Sequence, residues 1–166
     1  MKKKLLIFIL IVSIVGVLFC IEYSFPKAID VTYPAVQFRP GDANSATSVS
    51  LSIKGKLHRP LFRNQYFSGR IAVDRYDYSK YQMEDILFHR DVRNGWGNIV
   101  YFDNKPSGFT FGFVWKNGSF DNVKILLNEP VGPEKDGGII KDQQIVAPAK
   151  DYQSALELSS AEFKDN

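Results

Sequence analysis

The sequence predicts a mainly β domain, an antiparallel β-sandwich or partly open barrel with one C-terminal helix, preceded by an N-terminal transmembrane helix. Three observations carry that expectation. An apolar run follows a lysine cluster at the N-terminus, short stretches of alternating apolar and polar residues recur between turn signals from Val49 onward, and helical periodicity returns only near the C-terminus.

The chain has 166 residues, 45% hydrophobic and 23% charged, which is room for one domain with a core. Its formal charge of +3 belongs to Lys2, Lys3 and Lys4, because no acid precedes Glu22. From Glu22 onward, 18 basic residues balance 18 acidic ones. A nucleic-acid-binding domain neutralises phosphates with a basic excess of its own, so no nucleic-acid partner is expected. The single cysteine, Cys20, permits neither an intrachain disulfide nor a Cys-based metal site.

Residues 1–4 read as a basic cytoplasmic tail, 5–23 as the anchor, 24–46 as an extended stalk or first edge strand, and 47–166 as an extracytoplasmic β domain. Within the anchor, only Ser13 and Gly16 interrupt an apolar stretch of 17 residues, about 25 Å of helix, with Tyr23 and Phe25 at its far end. Lysines before the span and none just after it put the N-terminus in the cytoplasm and the body outside. Leu18, Phe19, Ile21 and Tyr23 are too large for a signal-peptidase site, and Val17, Leu18 and Phe19 before Cys20 do not make a lipobox. An uncleaved single-pass anchor in the cell membrane is therefore expected ahead of a secreted or lipidated form. Ser13 and Gly16 form one small-residue ridge at i, i+3 spacing, a feature of helix contacts in membranes.

Pro26, Pro34 and Pro40 punctuate the segment after the anchor and keep it extended. Val49, Leu51 and Ile53 then alternate with polar residues, as do Ile71 and Val73. Ile86, Leu87 and Phe88 form a shorter run, and Ile99 and Tyr101 open another. Phe109, Phe111, Phe113 and Trp115 are expected in one row on a buried sheet face. The next strand carries Val123, Ile125 and Leu127. A three-residue loop of Lys116, Asn117 and Gly118 would pair Phe111 with Val123 and Phe109 with Ile125, whereas a two-residue loop would bring polar groups under the aromatic row. Gly137 to Ala147 reads as the last strand, stopped by Pro148. Asp151 is the expected N-cap of a helix to about Lys164, with Tyr152, Ala155, Leu156, Ser159 and Phe163 on one side.

Catalytic chemistry is thinly represented. No nucleophile elbow, zincin motif, phosphate loop or dinucleotide fingerprint occurs, and no cofactor or metal is expected. His89 with Asp91 or Asp85 is the one histidine–carboxylate combination that an envelope-acting hydrolase or transferase could use. His58 lies in a basic turn without a nearby acid. Asp74, Asp77, Glu84, Asp85 and Asp91 cluster in sequence but lack the alternation of a calcium loop, and interleaved cations make them read as a mixed-charge surface. A small apolar ligand inside the aromatic-lined sheet is a third reading, opposed by rings large enough to fill a small barrel.

Two segments are singled out as a possible interaction surface. One is the basic turn with Lys54, Lys56, His58, Arg59 and Arg63; the other is the tyrosine-rich stretch with Tyr76, Tyr78 and Tyr81, a residue type that suits both contact surfaces and strand filling. Residues 43–73 carry +5 without an acid, and 129–166 carry −4. The basic turn would either face an anionic lipid surface or wall polymer, or neutralise the acidic segment beside it. The expected function is a non-enzymatic, membrane-anchored binding or interaction module of the envelope, with an envelope protein, wall polymer or lipid surface as partner.

Through Thr32, Tyr33, Pro34, Ala35, Val36, then Ile53, Lys54, Gly55, Lys56, Leu57, His58, Arg59, Pro60, Leu61, Phe62, and the late Ala147, Pro148, Ala149, the chain resembles uncharacterised single-anchor membrane proteins of Gram-positive bacteria. The resemblance spans most of the exported part. It implies location at the cell membrane and brings no activity, cofactor or site residue with it.

Overall fold

A computed structural model describes residues 2–89, 95–102, 108–131 and 139–163. The apolar run forms helix α1 (Lys2–Glu22), which is long and apolar enough to cross a membrane, and no part of its apolar window is buried. Such a helix satisfies its own backbone but not its side chains, which need an apolar surrounding. Phe19 stacks on Tyr23 at 4.9 Å, and Tyr23 meets Phe25 edge-on at 4.9 Å, so an aromatic group closes the C-terminal end of the helix.

The rest is mainly β. Strands β1 (Lys27–Arg39), β2 (Asp42–His58), β3 (Gln65–Val73), β4 (Gln82–Met83), β5 (Ile86–Phe88), β6 (Gly97–Phe102), β7 (Phe109–Asn117), β8 (Asn122–Glu129) and β9 (Ile139–Ala147) build one antiparallel sheet. Their order is β4-β6-β7-β8-β9-β1-β2-β3-β5. The two ends of this sheet meet. Met83 pairs with Tyr101 on β6 and Ile86 with Phe67 on β3, while Glu84 N donates to Val100 O at 2.9 Å and His89 N to Trp96 O at 3.1 Å. The extended run 82–89 thus stitches β3 to β6 and curls the sheet into a partly open barrel, the second of the two predicted architectures.

The segment expected to be a stalk or edge strand is instead interior. β1 lies between β9 and β2 and pairs with β2 from Lys27 to Arg39. Pro34 is tolerated there for a local reason. Its carbonyl accepts from Ala149 N at 2.9 Å, beyond the last residue of β9, and in a strand a residue's N and O point to the same side. The missing N–H therefore faces a stretch where the ladder has already ended.

Alternation fills the inside. Ile29, Leu51, Ile53, Leu57, Phe67, Ile71, Ile86, Ile99, Val123, Ile125 and Leu127 all belong to one buried core. Gly55 and Gly69 face each other in register, and a Cβ on either would meet the Phe67 ring at 2.9 or 3.0 Å. Lacking side chains, they leave that ring its place. Tyr101 is buried among these residues and its hydroxyl donates to Ile71 O at 2.5 Å, which gives the one polar atom of the ring a partner.

The aromatic row does not hold. Ile99 pairs with Gly112 but Val100 with Thr110, so Phe111 is an extra residue opposite no partner, a β-bulge. Phe109 and Phe111 point inward against Tyr78 and Tyr101, while Phe113 and Trp115 are half-buried on the outer face. Phe113 packs against Trp96 at 4.5 Å, and Trp115 lies beneath the C-terminal helix α2 (Tyr152–Glu162).

The hairpin register also differs from expectation. Lys116, not Phe111, pairs with Val123, and the turn has four residues, Gly118 to Asp121. Phe120 explains the difference. It turns inward at φ 70° and is fully buried, edge-on to Phe67 at 4.9 Å and to Phe88 at 6.0 Å. A three-residue loop would have put Phe120 into the strand and left this end of the barrel unplugged. The strained φ is offset by the burial of a whole ring.

At the C-terminus the expected helix is present. Asp151 caps α2 by accepting from Ser154 N at 2.8 Å, and the Ser154 hydroxyl in turn accepts from Asp151 N at 3.2 Å. The Asp151 carboxyl is held below its ordinary value by that backbone donor. Ala155 seats the helix over Val36, Phe38, Val146 and Ala149, a second core on the outside of the sheet.

Phe120→Ala is expected to remove about 3–5 kcal/mol of stability, because the site holds a fixed ring rather than a deformable side chain. A urea midpoint unchanged from the parent would show that the ring does not plug the barrel.

Candidate functional site

Strand direction divides the predicted surface in two. β2 ends and β3 begins at the end of the barrel where α1 enters, whereas β3 delivers the tyrosines to the opposite end. The basic turn and the tyrosine segment therefore do not form one surface.

At the anchor end, Lys54 and Lys56 point outward because Ile53 and Leu57 take the inner positions. Lys54 pairs with Asp30 at 3.1 Å, with side chains 75% and 71% exposed, a solvent-screened contact of little energetic weight. Its neutralising partner is thus on the neighbouring strand. The acids Glu129 and Asp142, from the acidic C-terminal third, instead engage Arg39 at the far end of β1 and raise its pKa.

His58 has a structural position. It stacks flat on Tyr66, its register partner, at 4.2 Å, and its Nδ1 lies 2.9 Å from Ser24 Oγ. Beside it, Arg59 N donates to Ser24 O at 2.5 Å. These two bonds join the turn to the residue that follows the α1 helix by two positions. The loop beyond, residues 59–64, exposes Arg59 and Arg63 and between them Leu61 and Phe62, at 52% and 73%. The Leu61–Phe62 pair was missed as a site feature. Two adjacent large apolar residues in a turn bracketed by arginines are a signal visible in the sequence, since turns ordinarily carry polar residues.

At the opposite end, Tyr76 and Tyr78 are half-buried and pack against the core. Tyr76 donates to Gln37 Oε1 at 2.9 Å and meets Phe111 edge-on at 5.4 Å, while Tyr78 meets Phe109 at 5.1 Å. The 3-10 turn Asp77–Lys80 holds them there through Ser79, buried, which accepts from Val73 N at 3.0 Å and donates to Tyr76 O at 2.6 Å. Tyr81, 39% exposed, is the most exposed of the three. Burial raises the pKa of Tyr76 and, more strongly, of Tyr78 and Tyr101.

The histidine–carboxylate alternative is not assembled with Asp85. Asp85 is exposed, and four residues of extended chain separate it from His89 by about 13 Å, well beyond hydrogen-bond reach. Asp91 lies outside the described residues. Two of the other clustered carboxylates have local tasks: Asp74 accepts from Ser50 N at 2.9 Å, and Asp77 pairs with Lys80 at 2.6 Å, which lowers its pKa. Among the described residues, no three His, Cys, Asp or Glu side chains gather as a metal site. A cleft of about 590 Å³ lies on the outer face under α2, lined by Trp115, Lys124, Leu126, Lys141, Leu156 and Phe163 among others. The interior offered for an apolar ligand is occupied by Phe67, Tyr101, Phe111 and Phe120.

Comparison with protein-family models, with curated proteins and with solved structures finds no match for this chain.

The buried phenols fix a pH response. Their folded pKa values lie above the ordinary 10.0, so the stability they confer is complete below about pH 10 and falls as pH rises above it, because the unfolded chain loses those protons first. Urea midpoints should hold from neutral pH to about 9 and then decline, less so in Tyr78→Phe. Phenolate absorbance showing every tyrosine ionising near pH 10 with the barrel intact would contradict the burial.

Proposed function

We propose that this chain is a non-enzymatic, membrane-anchored interaction module of the cell envelope. The three N-terminal lysines stay in the cytoplasm, α1 crosses the membrane once without cleavage, and the barrel stands outside. The reading rests on one observation above all: Ser24, just past the apolar helix, is bonded to His58 and Arg59, so the cationic turn lies at the barrel end nearest the span. A cation near an anionic surface is attracted by about 1 kcal/mol, and Lys56, Arg59 and Arg63 are all exposed at this end. An anionic lipid surface, a wall polymer or an acidic envelope protein would each answer that charge.

The test is crosslinking and co-purification of the full chain from its membrane, beside Lys56→Glu/Arg59→Glu/Arg63→Glu. A partner retained by the parent and lost from the triple variant is the expected outcome. Equal recovery from both would remove the basic turn from the interaction surface, and extraction of the parent by carbonate would remove the anchor.

A further inference from the structure

The surface of the barrel is sparing with large apolar side chains. Among the described residues after Tyr23, four are exposed: Leu61, Phe62, Tyr81 and Leu87. Single exposed hydrophobics are ordinary, but three of these four are gathered at the anchor end. Leu87 is the register partner of Tyr66, which stacks on His58, which contacts Ser24. A chain of contacts therefore links Leu87 to the foot of the helix, and the turn carrying Leu61 and Phe62 follows β2 at that same end.

Distance decides what can cover it. Arg59 is bonded to Ser24, next to the Phe19, Tyr23 and Phe25 rings that end the span, the aromatic level at which a bilayer gives way to its headgroups. Phe62 is three residues further along, so at most about 10 Å of chain separates it from Arg59. The headgroup layer is itself about 5–7 Å thick. β2 runs toward this end, and the turn that follows it exposes Leu61, Phe62 and Arg63 there. Apolar residues between two cations match the interface in chemistry as well as in position, with rings and aliphatic groups below the phosphates and guanidiniums beside them.

We infer that the turn from Pro60 to Arg63 is a second membrane contact: Leu61 and Phe62 insert into the interfacial layer of the bilayer that α1 spans, and Arg59 and Arg63 engage lipid phosphates. This rests on the anchor reading above. Two points of attachment would hold the barrel upright on the membrane, with the β1–β2 tip and Tyr81 turned outward.

The full chain, with Cys20→Ser, would be reconstituted into phosphatidylcholine–phosphatidylglycerol vesicles carrying nitroxide-labelled lipids. A single environment-sensitive fluorophore would be attached at Val12→Cys, Leu61→Cys or Asn44→Cys in turn. Quenching is expected at 12 and 61 and not at 44, and Phe62→Glu should abolish it at 61 while leaving 12 unchanged. Quenching at 12 without 61 would overturn the inserted turn and leave the anchor standing, assigning the apolar pair to a protein partner. No quenching at 12 would overturn both. Equal quenching at 61 and 44 would mean that the barrel lies on the surface without a preferred end, and would also overturn the proposal. Loss of the 61 signal in pure phosphatidylcholine would identify anionic headgroups as the ligand of the two arginines, and its persistence would show insertion by the apolar pair alone.

Discussion

Everything in the β part of the chain depends on the run 82–89 drawing the two edges of the curled sheet together. A curled sheet buries one face completely only when its ends are joined, because an open edge would admit water to the inner side chains and leave backbone groups unpaired. Two main-chain bonds, from Glu84 to Val100 and from His89 to Trp96, complete that junction between β3 and β6. Once the ends meet, the interior has a fixed volume, and the aromatic residues are distributed to fill it.

Closure creates two ends, and each is stoppered by rings from a turn. At the anchor end Phe120 enters from the β7–β8 turn against Phe67 and Phe88. At the other, Tyr76 and Tyr78 enter from the 3-10 turn against Phe109 and Phe111, with Ser79 holding the backbone that aims them. The bulge at Phe111 serves the same end: it keeps Phe109 and Phe111 inside but turns Phe113 and Trp115 outward, where Trp96 and α2 cover them.

The two ends differ in chemistry. The far one holds Arg39 between Glu129 and Asp142, and Tyr76 and Tyr78 pack there on the core. The end next to α1 exposes cations and apolar groups side by side, and its histidine is fixed between Tyr66 and Ser24. A charged surface alone is common and weakly informative, whereas this one is tied by hydrogen bonds to the end of an apolar helix, and that connection gives it direction.

Local pattern in the sequence determined much of this molecule. The apolar helix, the alternating strands through Leu51, Ile71 and Ile125, and α2 with its Asp151 cap follow from periods and caps that involve only neighbouring residues. The tertiary structure decided what depends on partners far away in the chain. β1 became an interior strand because β9 returns beside it, although its prolines read as a stalk. The β7–β8 register followed from the cavity that Phe120 fills, which no local turn rule contains. Tyr76 and Tyr78 came to pack on the core because Phe109 and Phe111 stand opposite them, and His58 became a junction because Ser24 lies 34 positions earlier in the chain yet beside it in space. Leu61 and Phe62 were in plain view as an apolar pair in a basic turn, but only the fold put that turn at the foot of the helix. Side-chain periodicity states which face a residue takes, and long-range closure alone states what that face meets.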